Sequence, residues 1–243
     1  MAGHSKWNNI KRKKGKEDAK KGKIFTKMAR NISVAAREGG GDPEFNPSLK
    51  VAVDKAKAMN MPNDNIERAI KKGTGEGGEG NFEAITYEGY GPSGVAVMVK
   101  CLTDNRNRTA PDVRHAFDKV GGNMGTSGSV SYLFEHRGQL GIEKTDQVDG
   151  DQLMLEAIDA GALDFEELED GFNILTEPED YLKVRKSLEE AGYDFVISEL
   201  TYLPTMESKL TDPEDIKNME KLIELLEDHD DVQEVYHNWE EEE

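Results

Sequence analysis

Apolar residues recur at helical spacing through the first third of the chain. From Lys16 to Glu38 they are Ile24, Phe25, Met28, Ile32 and Ala35-Ala36, and Gly39-Gly40-Gly41 ends the run. Asn46-Pro47 announces a second helix, a good cap followed by proline at the first helical position. Its inward face is Leu49, Ala52-Val53, Ala56 and Met59. A third helix runs through NIERAIKKG, with Ile66, Ala69 and Ile70 inward and Gly73 as its terminator. The glycine-rich stretch GTGEGGEGN then reads as a linker.

Beyond the linker the periodicity changes. ITYEGYGPSGVAVMVKCLT predicts two strands around a Gly-Pro-Ser-Gly turn, and a helix follows from about Thr109, its cap, to Val120. SVSYLFEHRGQLGIEK predicts a hairpin turning near Arg137-Gly138. A helix over 149–160, two short strands in DFEELEDGFNILT, a helix in PEDYLKVRKSLEEAG and a strand in DFVISELTYLP follow. That order, β-α-β-β-α-β, is the ferredoxin-like pattern. The tail adds a strand near 205–210, a helix across DPEDIKNMEKLIELLEDH and a last strand, VQEVYHNW. The tail has no sheet of its own, and its helix and strand would complete the β-β-α unit of 82–130. The expected fold is therefore α+β in three domains. A basic helical domain spans 1–78, a discontinuous α/β domain 79–130 plus 205–243, and an inserted ferredoxin-like domain 131–204.

Charge sharpens this division. The 243 residues carry a formal net charge of -18. Residues 1–37 nevertheless hold nine Lys and three Arg against Glu17 and Asp18, a net of +10, which leaves -28 on the remainder. A basic segment on an acidic body points to nucleic acid. The segment has no apolar core for a secretory signal, and its lysines and acids do not suit a mitochondrial presequence. No run approaches 18 apolar residues, so no membrane partner is expected, and the single Cys101 suits a reducing cytoplasm and a structural thiol.

Candidate chemistry is electrostatic. Lys6, Lys11, Arg12, Lys13, Lys14, Lys16, Lys20, Lys21, Lys23, Lys27 and Arg30 can neutralise phosphates, and Trp7 can either stack on a base or pack as a staple on the helices. Arg106, Arg108 and Arg114, around a strand-to-helix connection, form a second possible phosphate contact; pairing within the acidic body is the alternative. The loop Gly122–Ser129 is rich in donors, and with residues 104–129 it frames a third reading, an enzyme site. The histidines have no metal-ligand spacing, Gly73-x-Gly75-x-x-Gly78 follows a helix rather than a strand, and a P-loop is absent. No cofactor, metal or catalytic residue is expected.

Four stretches in order carry a resemblance: AGHSKWNNIKRKKGKEDAKKGKIFTKMAR, NPSLKVAVDKAKAMNMPNDNIERAIKKG, YEGYGPSGVAVMVKCLTDNRNRT and GSVSYLF. They resemble the YebC/PmpR family, which includes bacterial regulators and related mitochondrial translational activators. The resemblance implies three domains, a non-enzymatic role and nucleic-acid contact through the basic positions from Lys6 to Arg30. The partner it implies is DNA, in transcription, or ribosomal RNA, in a ribosome-associated translation factor that relieves stalling at proline-rich stretches. The acidic domains would face the ribosome or other proteins. Ser93 departs from the family's Gly-Pro-Gly-Gly turn, at little expected cost because Gly94 remains.

Overall fold

The computed structural model describes Trp7, residues 21–75 and residues 82–240, with side chains in the helical region from Ile24 onward. The described chain falls into two compact units, residues 21–75, 82–133 and 206–240 in the first and residues 134–205 with Trp7 in the second. In the first unit, helices α1 (Lys21–Gly39), α2 (Pro47–Ala58) and α3 (Asn63–Gly73) enclose one apolar core. Met28, Ile32 and Ala36 of α1 meet Leu49, Val53 and Ala56 of α2 and Ile66 and Ala69 of α3. The buried Asn46 fixes the start of α2: its carboxamide oxygen accepts from Leu49 N–H at 3.1 Å, while its amino group donates to the carbonyls of Ala35 and Gly40. Gly40 turns out of α1 with φ +92. Gly73 is no left-handed terminator. Thr74 caps α3 with φ -76, and a Cβ on Gly73 would stand 2.3 Å from the Ser33 carbonyl oxygen, so the glycine lets α3 lie against α1.

The same unit continues as a four-stranded sheet. Strands β1 (Glu83–Tyr90) and β2 (Ala96–Thr103) pair antiparallel, and β3 (Asn123–Met124) lies at β1's outer edge. Helix α4 (Arg106–Asp118) follows β2. The chain leaves this unit after Leu133 and returns at Met206. It then supplies β8 (Ser208–Lys209), helix α7 (Pro213–Glu227), β9 (Val232–His237) and β10 (Trp239–Glu240). β9 pairs antiparallel with β2, giving the order β3-β1-β2-β9, and β10 pairs parallel with β8. Val97, Val99 and Cys101 pack with Val113, Phe117, Met219 and Leu222. Burial pushes the Cys101 thiol up to about 12.

The second unit holds β4 (Phe134–Glu143), α5 (Gly150–Ala160), β5 (Asp164–Glu167), β6 (Gly171–Thr176), α6 (Tyr181–Glu190) and β7 (Ile197–Pro204). Its antiparallel strands run β5-β6-β4-β7. Leu140, Ile142, Phe172 and Ile174 on the strands and Leu153, Ala157, Val184 and Leu188 on the helices are buried.

Three local expectations are corrected. Residues 134–143 form one continuous strand, not a hairpin at Arg137-Gly138. Gly138 stands in mid-strand because a Cβ there would meet Thr176 Oγ1 at 2.3 Å and Tyr181 Cβ at 2.8 Å. The helix after β2 begins at Arg106 and is capped by Asn105, whose side chain accepts from Arg108 N–H, not by Thr109. Ser93 and Gly94 both adopt positive φ, 51 and 79, so Gly94 does not spare Ser93 the left-handed region. The Ser93 hydroxyl hydrogen-bonds the Asp215 carboxylate in the first turn of α7, which offsets part of that strain.

Gly138→Ala is expected to destabilise the protein by about 1–3 kcal/mol through overpacking, read as a lowered midpoint in chemical denaturation.

Candidate nucleic-acid interface

Of the basic positions expected to meet phosphate, Lys6, Lys11, Arg12, Lys13, Lys14, Lys16 and Lys20 lie outside the described residues. Lys21 and Lys23 lie in the first turn of α1. Lys27 Nζ donates to the Glu227 carbonyl at the end of α7, at 2.7 Å. Arg30 is more deeply engaged. Its guanidinium donates to the Asp230 carbonyl at 2.6 Å and to Asp231 Oδ1 at 2.9 Å, and it lies 5.2 Å from the centre of the Phe82 ring. These intramolecular partners, rather than a phosphate, hold Arg30 here. The fold uses it to fix α1 to the sheet.

Asp231 is the centre of that attachment. Its side chain is 3% exposed and also accepts from Thr109 Oγ1 at 2.8 Å, Thr103 Oγ1 at 3.1 Å and Arg108 at 3.3 Å. Burial alone would push the carboxyl up. The hydrogen bonds from Thr109, Arg108, Thr103 and Arg30 outweigh it and hold the group below its ordinary range. Arg108 also pairs with Asp104 at 2.9 Å, so its guanidinium makes the internal pairs that were the alternative to a phosphate contact, with its side chain still 53% exposed. Arg106 and Arg114 are exposed on α4.

The donor-rich loop is likewise committed internally. Glu88, buried in β1, accepts from the N–H groups of Gly128, Val130 and Ser131 at 2.7–2.8 Å. Burial would raise its carboxyl, but these three backbone donors together lower it. An oxyanion or phosphate would therefore compete with an occupied carboxylate. Among the described residues no group of three or more His, Cys, Asp or Glu is set to hold a metal ion. No described helix is long and apolar enough to cross a membrane.

Trp7 is neither a stacking platform nor a staple on the three helices. It is fully buried in the second unit, against Leu168, Val196 and Ile197. The slot is built by omission. A Cβ on Gly171 would come within 2.3 Å of the indole, and one on Gly141 within 3.6 Å. Strand alternation puts both glycines opposite Ile142 and Phe172, on the face of the sheet away from those core residues.

Sequence reasoning missed Asp231 and Glu88. Asp231 sits in EDHDD, whose composition is that of a solvated turn, and Glu88 in a strand pattern that gives no sign of burial. The usable signal was weak: Thr103 and Thr109 flank the DNRNR connection, two hydroxyls that are of use mainly to a shared acceptor.

Asp231→Asn should cost about 3 kcal/mol at neutral pH, because it leaves Arg30 facing a neutral group. Both Asp231 and Glu88 are held below their ordinary values. The stability they supply is therefore complete above the unfolded carboxylate range of about 4 and is lost as pH falls through their folded-state values. Acid titration of unfolding free energy checks this, with a shallower acid limb expected for Asp231→Asn and Glu88→Gln. For the indole slot, Gly171→Ala in a Trp239→Phe background should red-shift the emission of the remaining Trp7. Trp7→Ala should cost about 3 kcal/mol or more.

Residues 5–76 match the model of the TACO1/YebC protein N-terminal domain, and residues 82–239 match that of the TACO1/YebC second and third domain. A probable transcriptional regulatory protein of Finegoldia magna is 59% identical over 242 residues, covering 100% of both chains. Another of that name, from Ruminiclostridium cellulolyticum, is 58% identical over 243 residues, covering 100% of this chain and 98% of that one. The crystal structure of a conserved hypothetical protein, Aq1575, from Aquifex aeolicus superposes with a TM-score of 0.79 at 47% identity, over 91% of each chain. With its three-helix region, its two antiparallel α/β sheets and family matches that span nearly its whole length, the chain belongs to the TACO1/YebC family.

Proposed function

We propose that this protein is a cytoplasmic, non-enzymatic regulator of gene expression that binds nucleic acid through its basic N-terminal segment, with DNA as the target and transcription as the process. One observation carries the reading: a net charge of +10 over residues 1–37 on a remainder of -28. Phosphate neutralisation releases condensed counterions and needs no special side-chain geometry. The Finegoldia and Ruminiclostridium relatives, both named as probable transcriptional regulatory proteins, support the transcriptional form. The competing internal uses of Arg108, Asp231 and Glu88 count against a phosphate pocket or a catalytic site at 104–129. Exposed Lys57, Arg68 and Lys71 on α2 and α3 extend the basic character beyond Arg30.

In domain terms we read 1–78 as the nucleic-acid-binding part and 79–130 with 205–243 as its acidic support. The strand order β5-β6-β4-β7 supports reading 131–204 as a ferredoxin-like module. A second reading keeps the same lysines but sets them on ribosomal RNA. The charge of -28 favours it, because an acidic body suits the basic proteins of a ribosome and discourages indiscriminate RNA binding.

Replacing Lys11, Arg12, Lys13 and Lys14 with Ala should weaken binding in gel shifts with promoter DNA and with structured RNA. It should also flatten the salt dependence, by about one unit of log K against log salt for each lost phosphate contact. An unchanged slope would remove the segment as the contact. Gradient sedimentation of lysate at low salt separates the two targets: co-migration with ribosomes supports the RNA form, and its absence supports DNA.

A further inference from the structure

Six large hydrophobic side chains of the described residues stand exposed, and three of them fall within nine residues. Leu155 (61% exposed) and Ile158 (54%) are one helical turn apart on the outer face of α5, and Leu163 (52%) follows the left-handed Gly161 that ends the helix. Residues i and i+3 are neighbours on a helix surface. Leu153 and Ala157, the other face of the same helix, are fully buried. α5 is therefore apolar on both faces, although the core uses only one.

The setting is strongly acidic. Residues 149–170 contain nine Asp and Glu and not one Lys or Arg. Asp151 and Asp159 flank the two exposed apolar residues on α5, and Asp164 follows Leu163. Lys183 brings one base to the Gly161 end of the helix. A second copy seated through the same face would set this surplus against itself, and an anionic lipid surface would be repelled, so both occupants are disfavoured by the same charges.

We infer that the outer face of α5 is a docking site for a basic amphipathic segment of a partner protein, whose apolar stripe covers Leu155, Ile158 and Leu163 while its lysines or arginines meet Asp151, Asp159 and Asp164. Groups of this kind recognise a helix laid along them through i, i+3, i+4 anchors, with charge at the rim setting orientation and encounter rate. The inference rests on the reading of the acidic domains as a partner-contacting body. It is independent of which nucleic acid the N-terminal segment binds.

The test uses the full chain and a labelled helix-forming peptide of Leu and Lys, its leucines at i, i+3, i+4 and i+7. A control peptide has the same composition with the leucines scattered. Fluorescence anisotropy should show the patterned peptide binding about tenfold tighter. Leu155→Ser with Ile158→Ser should abolish that difference, with circular dichroism confirming that the exposed substitutions leave the fold intact. Asp151→Asn with Asp159→Asn should weaken both peptides and flatten their salt dependence. Equal binding of the two peptides, or an unchanged preference in the Leu155/Ile158 variant, would overturn the inference. So would self-association in sedimentation, or binding to phosphatidylglycerol vesicles, that depends on those two residues. The variant with Lys11, Arg12, Lys13 and Lys14 replaced by Ala separates the two proposals. It should keep the peptide preference, whereas failure of the peptide with nucleic-acid binding intact sinks only the docking site.

Discussion

A single buried carboxylate organises the first unit. Asp231 takes hydrogen bonds from β2, α4 and α1, through Thr103, Thr109, Arg108 and Arg30, and it precedes β9 directly. Were any of these partners lost, an incompletely paired charge would remain in a site almost closed to water, which is far more costly than the net worth of one added bond. The arrangement is thus close to all-or-none. It links helix-to-sheet attachment, the start of α4 and the entry to β9 in one event. The Lys55–Glu234 pair at 3.0 Å and the Lys27 contact with the end of α7 lie along the same seam.

Much of the fold was legible because it depends on local chemistry. Asn46-Pro47, Asp149 and Asp212-Pro213 start helices where caps belong, and β2, an interior strand, reads as the near-continuous apolar run AVMVKCL. The return of the tail to β2 was inferable because its strand had no other sheet to join. Glycine was the least legible residue. Gly40 and Gly161 serve positive φ, whereas Gly73, Gly138 and Gly171 serve close approach, and nothing in the neighbouring sequence distinguishes the two uses. Reading Gly138 as a turn followed from that ambiguity.

The candidate site was legible only as charge. A lysine-rich run announces itself by composition, but which members face solvent depends on partners hundreds of positions away. Arg30 and Asp231 are separated by 201 residues, and Trp7 finds its slot among residues 141–197. Both looked like surface features because their partners are set by topology. The same limit hid Glu88, whose three donors belong to a loop beginning forty residues later.

The strand order has a consequence for synthesis. β2 remains an edge strand, its outer row of backbone groups unpaired, until Val232 has been made and β9 can join it. Well over a hundred residues, including 134–205 of the second unit, are produced in that interval. Pairings of such separation are slow to form, and open edges invite other strands. During translation the inserted unit can fold by itself while the sheet before it waits. The last stretch of chain then supplies the missing strand and the carboxylate that locks it.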